Sequence, residues 1–222
     1  MPTAPSIIVF DVNETLSDMS PMAQRFADIG APAHLAKQWF AALLRDGFAL
    51  AATGDSAGFA EVGAGILAPL LDAGGISHPG EAARRLAGSL GDLPLHADVA
   101  DAVRSLRAAG YRLVTLTNGS AKVAEQLFAA AGILGAFEKL LSVEDAPNWK
   151  PHPSSYAFAA QACGARAEDM ALVAVHPWDI HGAARAGLRT AWVNRDGGPY
   201  PSHFAAPDVV VSSLSELEAA LR

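Results

Sequence analysis

Ser6-Ile7-Ile8-Val9-Phe10-Asp11-Val12-Asn13-Glu14-Thr15 is an apolar run that stops at a carboxylate and passes at once into a turn-forming Asn. A short apolar run bounded by a turn signal reads as a strand buried on both faces of a parallel sheet, which puts Asp11 at its carboxyl end. Open α/β sheets hold their ligands at that edge. A carboxylate on a rigid strand end can serve as nucleophile, general base or metal ligand, and this stretch alone leaves all three open.

Working outward, strand-like runs recur at 112–117, 139–143, 170–175, 189–193 and 208–211, most of them separated by helix-length segments. Strands alternating with helices predict an α/β fold with a doubly wound parallel sheet. Helices over 98–109, 121–131 and 180–186 each run into a glycine, Gly110, Gly132 and Gly187, a residue type that stops helices. Between Thr15 and Leu95 the pattern changes to helices near 22–29, 33–50, 56–71 and 80–90 with no convincing strand. The expected organisation is an α/β core formed by 1–15 and 96–222, with an all-helical cap, 16–95, inserted after the first strand. A lid there would exclude water from Asp11. Its apolar residues, Trp39, Phe40, Phe48 and Phe59 among them, are first of all a core for the cap itself.

Composition narrows the function classes. At 222 residues with 51% hydrophobic content the chain can bury a sizeable core. A net charge of −7 and no Lys/Arg cluster argue against nucleic acid. The apolar stretches are too interrupted for a membrane span, and Met1–Ser6 lacks the features of a secretory leader. With one cysteine, Cys163, no internal disulfide can form, so a reducing, cytoplasmic compartment is expected.

Four strand ends carry polar residues of a catalytic type: Asp11, Asn13 and Thr15; Thr117-Asn118-Gly119-Ser120; Asn148-Trp149-Lys150-Pro151; and His176-Pro177-Trp178-Asp179. Hydroxyls, an amide and free N–H groups where a strand opens into a helix suit an anion. Taken singly, each has a plainer role: Thr-Asn-Gly-Ser as turn and cap, Lys150 as a surface charge, Asp179 as the cap of the next helix. Their conjunction along one sheet edge, beneath a lid, is what marks a site.

With those motifs in place the chain resembles the haloacid dehalogenase (HAD) superfamily, in particular its L-2-haloacid dehalogenase, type II, branch. Asp11 to Thr15, Thr117 to Ser120, Lys150-Pro151 and Trp178-Asp179 with Gly182-Ala183 carry the resemblance, which covers nearly the whole length. It implies a Rossmann-like HAD core with a helical cap, and a hydrolase of carbon–halide bonds. It also implies an SN2 attack by Asp11 on a short 2-haloalkanoic acid and hydrolysis of the resulting aspartyl ester by water. Lys150 would keep Asp11 ionised, while Asp179 and Thr15 would orient Lys150 and the water. Asn118, Gly119 and Ser120 would hold the substrate carboxylate, and Tyr156, which matches a family tyrosine six residues after the Lys, would be a substrate-binding residue beside them. The partners implied are the haloacid and water, without cofactor or metal, and the family admits a homodimer.

Phosphatases of the superfamily carry a second Asp where this chain has Asn13, and many carry an acid four residues before the Asp179 position, where this chain has Val175. An amide cannot protonate a leaving alkoxide and Val cannot ligate a hard cation, so both substitutions point away from phosphoryl transfer. The chain also departs from the dehalogenases. Their halide-receiving cap Arg follows a Trp, whereas Trp39 is followed by Phe40, with Arg45 five residues further on. Their Tyr two after the nucleophile is Asn13, and their Ser and Asn of the last motif are Ala174 and His176. A donor to the departing halide would then come from His176, Asn13 or Trp39, with Phe40, Arg45 and Trp178 as further pocket residues. Two alternatives stay open: a HAD hydrolase of a phosphate ester or another small electrophile, and a weakly active binding protein that keeps the fold.

Overall fold

The computed structural model of the chain describes residues 5–222. Residues 1–4, on which part of the leader reading falls, lie outside the described residues.

β1 (Ile7–Phe10) has no exposed residue, as an apolar run on a central parallel strand requires. After it come α1 (Pro21–Asp28), α2 (Leu35–Thr53), α3 (Phe59–Ala73) and α4 (Pro79–Gly88). The remaining elements alternate: α5 (Val99–Ala108), β2 (Arg112–Thr117), α6 (Ala121–Ala130), β3 (Lys139–Ser142), α7 (Pro153–Cys163), β4 (Met170–Ala174), α8 (Pro177–Arg185), β5 (Arg189–Val193), β6 (Val209–Val211) and α9 (Leu217–Leu221). The strands form one parallel sheet in the order β3-β2-β1-β4-β5-β6. The chain is therefore an α/β fold with a doubly wound parallel sheet, and β1 lies at the switch point between two outward-growing halves.

Alternation along the strands builds two hydrophobic layers. Ile7, Val9, Val114, Leu116 and Leu172 face α7 and α8 through Tyr156, Ala159, Ile180 and Ala183. Ile8, Phe10, Leu113, Ala171 and Val173 face the opposite side, with Val103, Leu106, Leu127 and Phe128. That second layer continues without a break through Val12 and Leu16 into Trp39, Leu43, Phe59, Leu67 and Leu71, which seats the α1–α4 layer on the carboxyl edge of the sheet. Each such side chain contributes on the order of 1.5–3 kcal/mol when fully buried.

Several boundaries differ from the sequence expectation, each for a local reason. Proline opens α1, α4, α7 and α8, because its fixed φ suits the first helical position and its missing N–H has no partner there anyway. α8 accordingly starts at Pro177 and not at Ile180, which draws Asp179 into its first turn, where the positive end of the helix dipole favours a carboxylate. β3 stops at Ser142, whose hydroxyl accepts from the Glu144 N–H and turns the chain out of the sheet. No helix among the described residues is long and apolar enough to cross a membrane.

Candidate active site

Parallel register brings the ends of β1, β2 and β4 side by side, with Phe10 opposite both Thr115 and Val173. Asp11 continues the ladder for one more bond, its N–H donating to Val173 O at 3.0 Å. The residue is 3% exposed, so the charge of its carboxylate must be met by partners. Lys150 Nζ donates to Oδ1 at 3.0 Å. On Oδ2, the Thr15 hydroxyl donates at 2.7 Å and His176 Nδ1 lies at 3.1 Å. The Thr15 hydroxyl is itself fixed, because its oxygen accepts from the Val175 N–H at 3.1 Å and so turns its proton toward Asp11. Arg195 donates to the Thr15 carbonyl at 3.0 Å and to Asp98 at 3.0 Å, pinning the turn that carries Thr15.

Lys150 has no exposed surface and is shared between two carboxylates, reaching Asp179 Oδ2 at 2.5 Å. The other oxygen of Asp179 accepts from the Tyr156 hydroxyl at 2.6 Å. Asn118 clasps the Lys150 backbone in both directions, donating to its carbonyl at 3.1 Å and accepting from its N–H at 2.9 Å. Gly182 makes room for this arrangement: a Cβ there would lie 2.5 Å from the Tyr156 hydroxyl and 2.6 Å from Pro151 Cβ.

These contacts set the charges. Burial on its own would raise the Asp11 carboxyl, but the Lys150 ammonium, with His176 and Thr15, outweighs it and holds the group well below the usual carboxylate range. Burial works against the Lys150 ammonium, yet Asp11 and Asp179 lift it above its ordinary value. Burial raises Asp179 by more than Lys150 lowers it, and the same burial, with Asp179 alongside, pushes Tyr156 well up. His176 is pulled down by burial and pulled up further by its bonds to Asp11 and Glu14, ending at about 9.

Two cavities flank this network. The smaller, about 70 Å³, lies between Trp39, Phe59 and Gly63 of the helical layer and Val12, Asn13, Thr117, Gly119 and Ser120 of the strand ends. That is well above the roughly 10–15 Å³ needed to admit a single water, and it suits a small ligand rather than a large one. The larger, about 480 Å³, opens past Phe40, Glu14 and His176 on the other side.

Asp11, Thr15, Lys150, Asp179, Tyr156 and His176 thus meet in one network, with Asn13, Trp39, Gly119 and Ser120 around the adjoining cavity. Trp178 stacks on His176 at 5.0 Å, and Phe40 packs against the same ring, tilted, at 6.4 Å between ring centres. Four expectations are corrected. Arg45 points away, with 71% of its side chain exposed and bonded to Asp46, because five helical residues carry it off the face of Phe40. Asn118 spends both ends of its amide on Lys150 rather than on a ligand. Tyr156 is fully buried behind Asp179. The Trp39 N–H is taken by Gly63 O at 3.1 Å, which leaves only its ring to line the cavity.

Sequence reasoning missed Glu14, whose carboxylate lies 2.9 Å from His176 Nε2. The two are 162 residues apart, and no spacing rule links them. Ser142 was missed as well; its hydroxyl donates to Gly119 O at 2.7 Å and fixes that loop.

The superfamily that the sequence resembles also raises the question of a divalent cation. The residues present do not fit one: Val175 stands where an oxygen ligand is needed, and Asp11 already accepts from an ammonium, an imidazole and a hydroxyl.

The chain is similar to several known proteins. A family model described as haloacid dehalogenase-like hydrolase matches residues 5–187. The (S)-2-haloacid dehalogenase of Pseudomonas putida is 31% identical over 212 residues, covering 95% of this chain and 93% of that protein. Haloacetate dehalogenase H-2 of Moraxella sp. (strain B) is 35% identical over 120 residues, and that match spans about half, 54%, of each protein. The crystal structure of the L-2-haloacid dehalogenase RSc1362 superposes with a TM-score of 0.92 at 26% identity, over 99% of each chain.

Proposed function

Because the chain belongs to the haloacid dehalogenase-like hydrolase family, we propose that it is a hydrolytic dehalogenase of short 2-haloalkanoic acids that works through an Asp11 ester and without metal. The observation that carries this reading is the shared Lys150: one buried ammonium bonded to Asp11 and to Asp179 keeps the first carboxylate ionised and aims the second.

Asp11 Oδ1 accepts a single hydrogen bond whereas Oδ2 accepts two, so Oδ1 keeps the lone pair for attack. It displaces the halide from the α-carbon, inverting that centre and forming the ester. The substrate carboxylate sits toward Ser120 and the opening turn of α6, where the helix dipole favours an anion; the Gly119 N–H is already taken by the Thr117 hydroxyl at 2.9 Å. With Arg45 turned out and the Trp39 N–H engaged, the Asn13 amide is the donor left in the cavity for the departing halide. Water then attacks the ester carbonyl, oriented by Asp179.

The α1–α4 layer, within 16–95, acts as the cap that closes the small cavity against the strand ends. The working partners are the haloacid and water, and the compartment is the cytoplasm, in keeping with a single buried cysteine, Cys163. The test is halide release from L- and D-2-chloropropionate, chloroacetate and fluoroacetate with and without EDTA, beside phosphate release from p-nitrophenyl phosphate with Mg²⁺. Halide release that survives EDTA is expected. Mg²⁺-dependent phosphate release without any halide would replace this reading by that of a phosphatase.

A further inference from the structure

Both ring nitrogens of His176 face carboxylate oxygens: Nδ1 lies 3.1 Å from Asp11 Oδ2 and Nε2 lies 2.9 Å from Glu14 Oε2. Carboxylates accept and do not donate, so satisfying both contacts takes a hydrogen on each nitrogen, which makes the ring an imidazolium. A cation touching the nucleophile from the side opposite Lys150 calls for a reason. It lowers the charge density of Asp11 and, in the first step alone, works against attack.

Glu14 sharpens the point. Its backbone has φ +60, in the left-handed region that side chains other than glycine and Asn/Asp seldom adopt. Strain of this kind persists where surrounding contacts enforce it and tends to collect at functional positions. Here the enforced conformation aims the Glu14 side chain at His176, while His96 Nε2 contacts the Glu14 carbonyl at 2.9 Å and holds the same turn. The ring packs against Trp178 and Phe40, and its residue is 9% exposed, at the edge of the larger cleft.

We propose that His176, held as a cation by Glu14, is a catalytic residue for the second half of the reaction: with Thr15 it forms the oxyanion hole for hydrolysis of the Asp11 ester. The inference rests on the dehalogenase reading above. After attack through Oδ1, Oδ2 is the ester carbonyl oxygen and faces both the Thr15 O–H and the His176 Nδ1–H. When water bonds to the carboxyl carbon, one of its protons passes to Asp179 and the C=O electron pair moves onto Oδ2, between those two donors. Collapse returns the pair and breaks the bond from that carbon to Oδ1. The departing oxygen takes a proton from Lys150, which recovers it from Asp179. The remaining water proton leaves as Asp11 ionises again. His176 gives up no proton in the cycle; it stabilises charge that develops only in the transition state, where one such donor is worth about 10²–10³-fold in rate. Glu14 is its positioning residue.

The experiment is a single turnover of L-2-chloropropionate by excess enzyme, following halide and 2-hydroxy acid separately, with the mass of the intact protein reporting the ester. For wild type, acid formation should follow halide release closely. In His176→Phe, halide release should change by less than about tenfold while acid formation slows by about 10²–10³-fold, so that the ester accumulates. Glu14→Gly should also accumulate ester and remain folded, since glycine accepts without strain the left-handed backbone that Glu14 adopts. This second variant keeps the test open if the first does not fold. Halide and acid slowed equally, with no ester, would overturn the inference and leave the dehalogenase reading standing. No halide from wild type would overturn both.

Discussion

The two flanks of Asp11 are built on different terms. On the Oδ1 side, Lys150, Asp179 and Tyr156 are sealed, with no exposed surface on any of them. On the Oδ2 side, His176 borders the large cleft and is backed by Glu14, whose side chain is 42% exposed. The sealed flank fixes the ionisation of the nucleophile through one cation shared by two carboxylates. The open flank supplies a cation whose protonation answers to solvent. In the mechanism proposed above, a carboxylate that first attacks and is then attacked would be served by that asymmetry: strong, unvarying charge where the bond forms, and adjustable donors where the carbonyl charge develops.

The largest break removes the group common to both flanks. Asp11→Asn should cut halide release by about 10⁴-fold or more in steady-state assays, as loss of a nucleophile does. Next comes the sealed flank. Lys150→Met leaves two buried carboxylates facing one another and should lower stability by about 3–5 kcal/mol in denaturant unfolding. Adding Asp179→Asn to it should recover part of that loss, and simple additivity of the two would show that the shared ammonium is not what couples them.

The open flank predicts a pH signature. The folded-state pKa of His176 stands at about 9, above the ordinary 6.5. The stability it contributes is therefore fully present below about pH 6.5 and is lost as pH rises through about 9. Asp11 and Glu14 face the ring directly, Lys150 lies behind Trp178 at 5.9 Å from that ring, and Lys37, His96 and Arg195 line the adjoining cleft. The Tm advantage of wild type over His176→Asn should accordingly shrink between pH 6 and pH 10; an advantage that grows over that range would mean that the folded protein holds the ring neutral. A smaller effect is expected from Gly182→Ala, whose methyl meets the Tyr156 hydroxyl and Pro151. It should cost about 1–3 kcal/mol and reduce turnover by loosening Asp179. Smallest of all, Arg45→Ala should leave activity unchanged and stability within about 0.5 kcal/mol, since its ion pair with Asp46 is exposed.

How much of this was legible beforehand divides along the same line. The sealed flank could be read in part: Asp11 directly follows β1 and Asp179 lies in the first turn of the helix after β4, as the strand-end rule expects, whereas Lys150 lies eight residues beyond β3 and is brought to the edge by its loop, clasped by Asn118. The central strand was legible for a related reason: Ile7 to Phe10 is apolar on both faces, and few other environments accept that. The open flank was not legible. Glu14 meets His176 only because its backbone turns left-handed, a choice that nothing in Asn13-Glu14-Thr15 announces. Tyr156 had the right spacing but the wrong expected partner, since spacing places a residue on a helix without saying whether it faces ligand or a neighbouring side chain. Arg45 shows the same limit from the other direction: five residues along α2 suffice to move a side chain from pocket to solvent.

The most direct test of the central claim is to follow the oxygen. A single turnover of L-2-chloropropionate in heavy-oxygen water, with enzyme in excess, should place the heavy atom in the peptide containing Asp11 and leave the hydroxyl of the product light, because that hydroxyl comes from the Asp11 carboxylate. Heavy oxygen in the product, with an unlabelled Asp11 peptide, would mean that water attacks the substrate directly and that Asp11 is not the nucleophile.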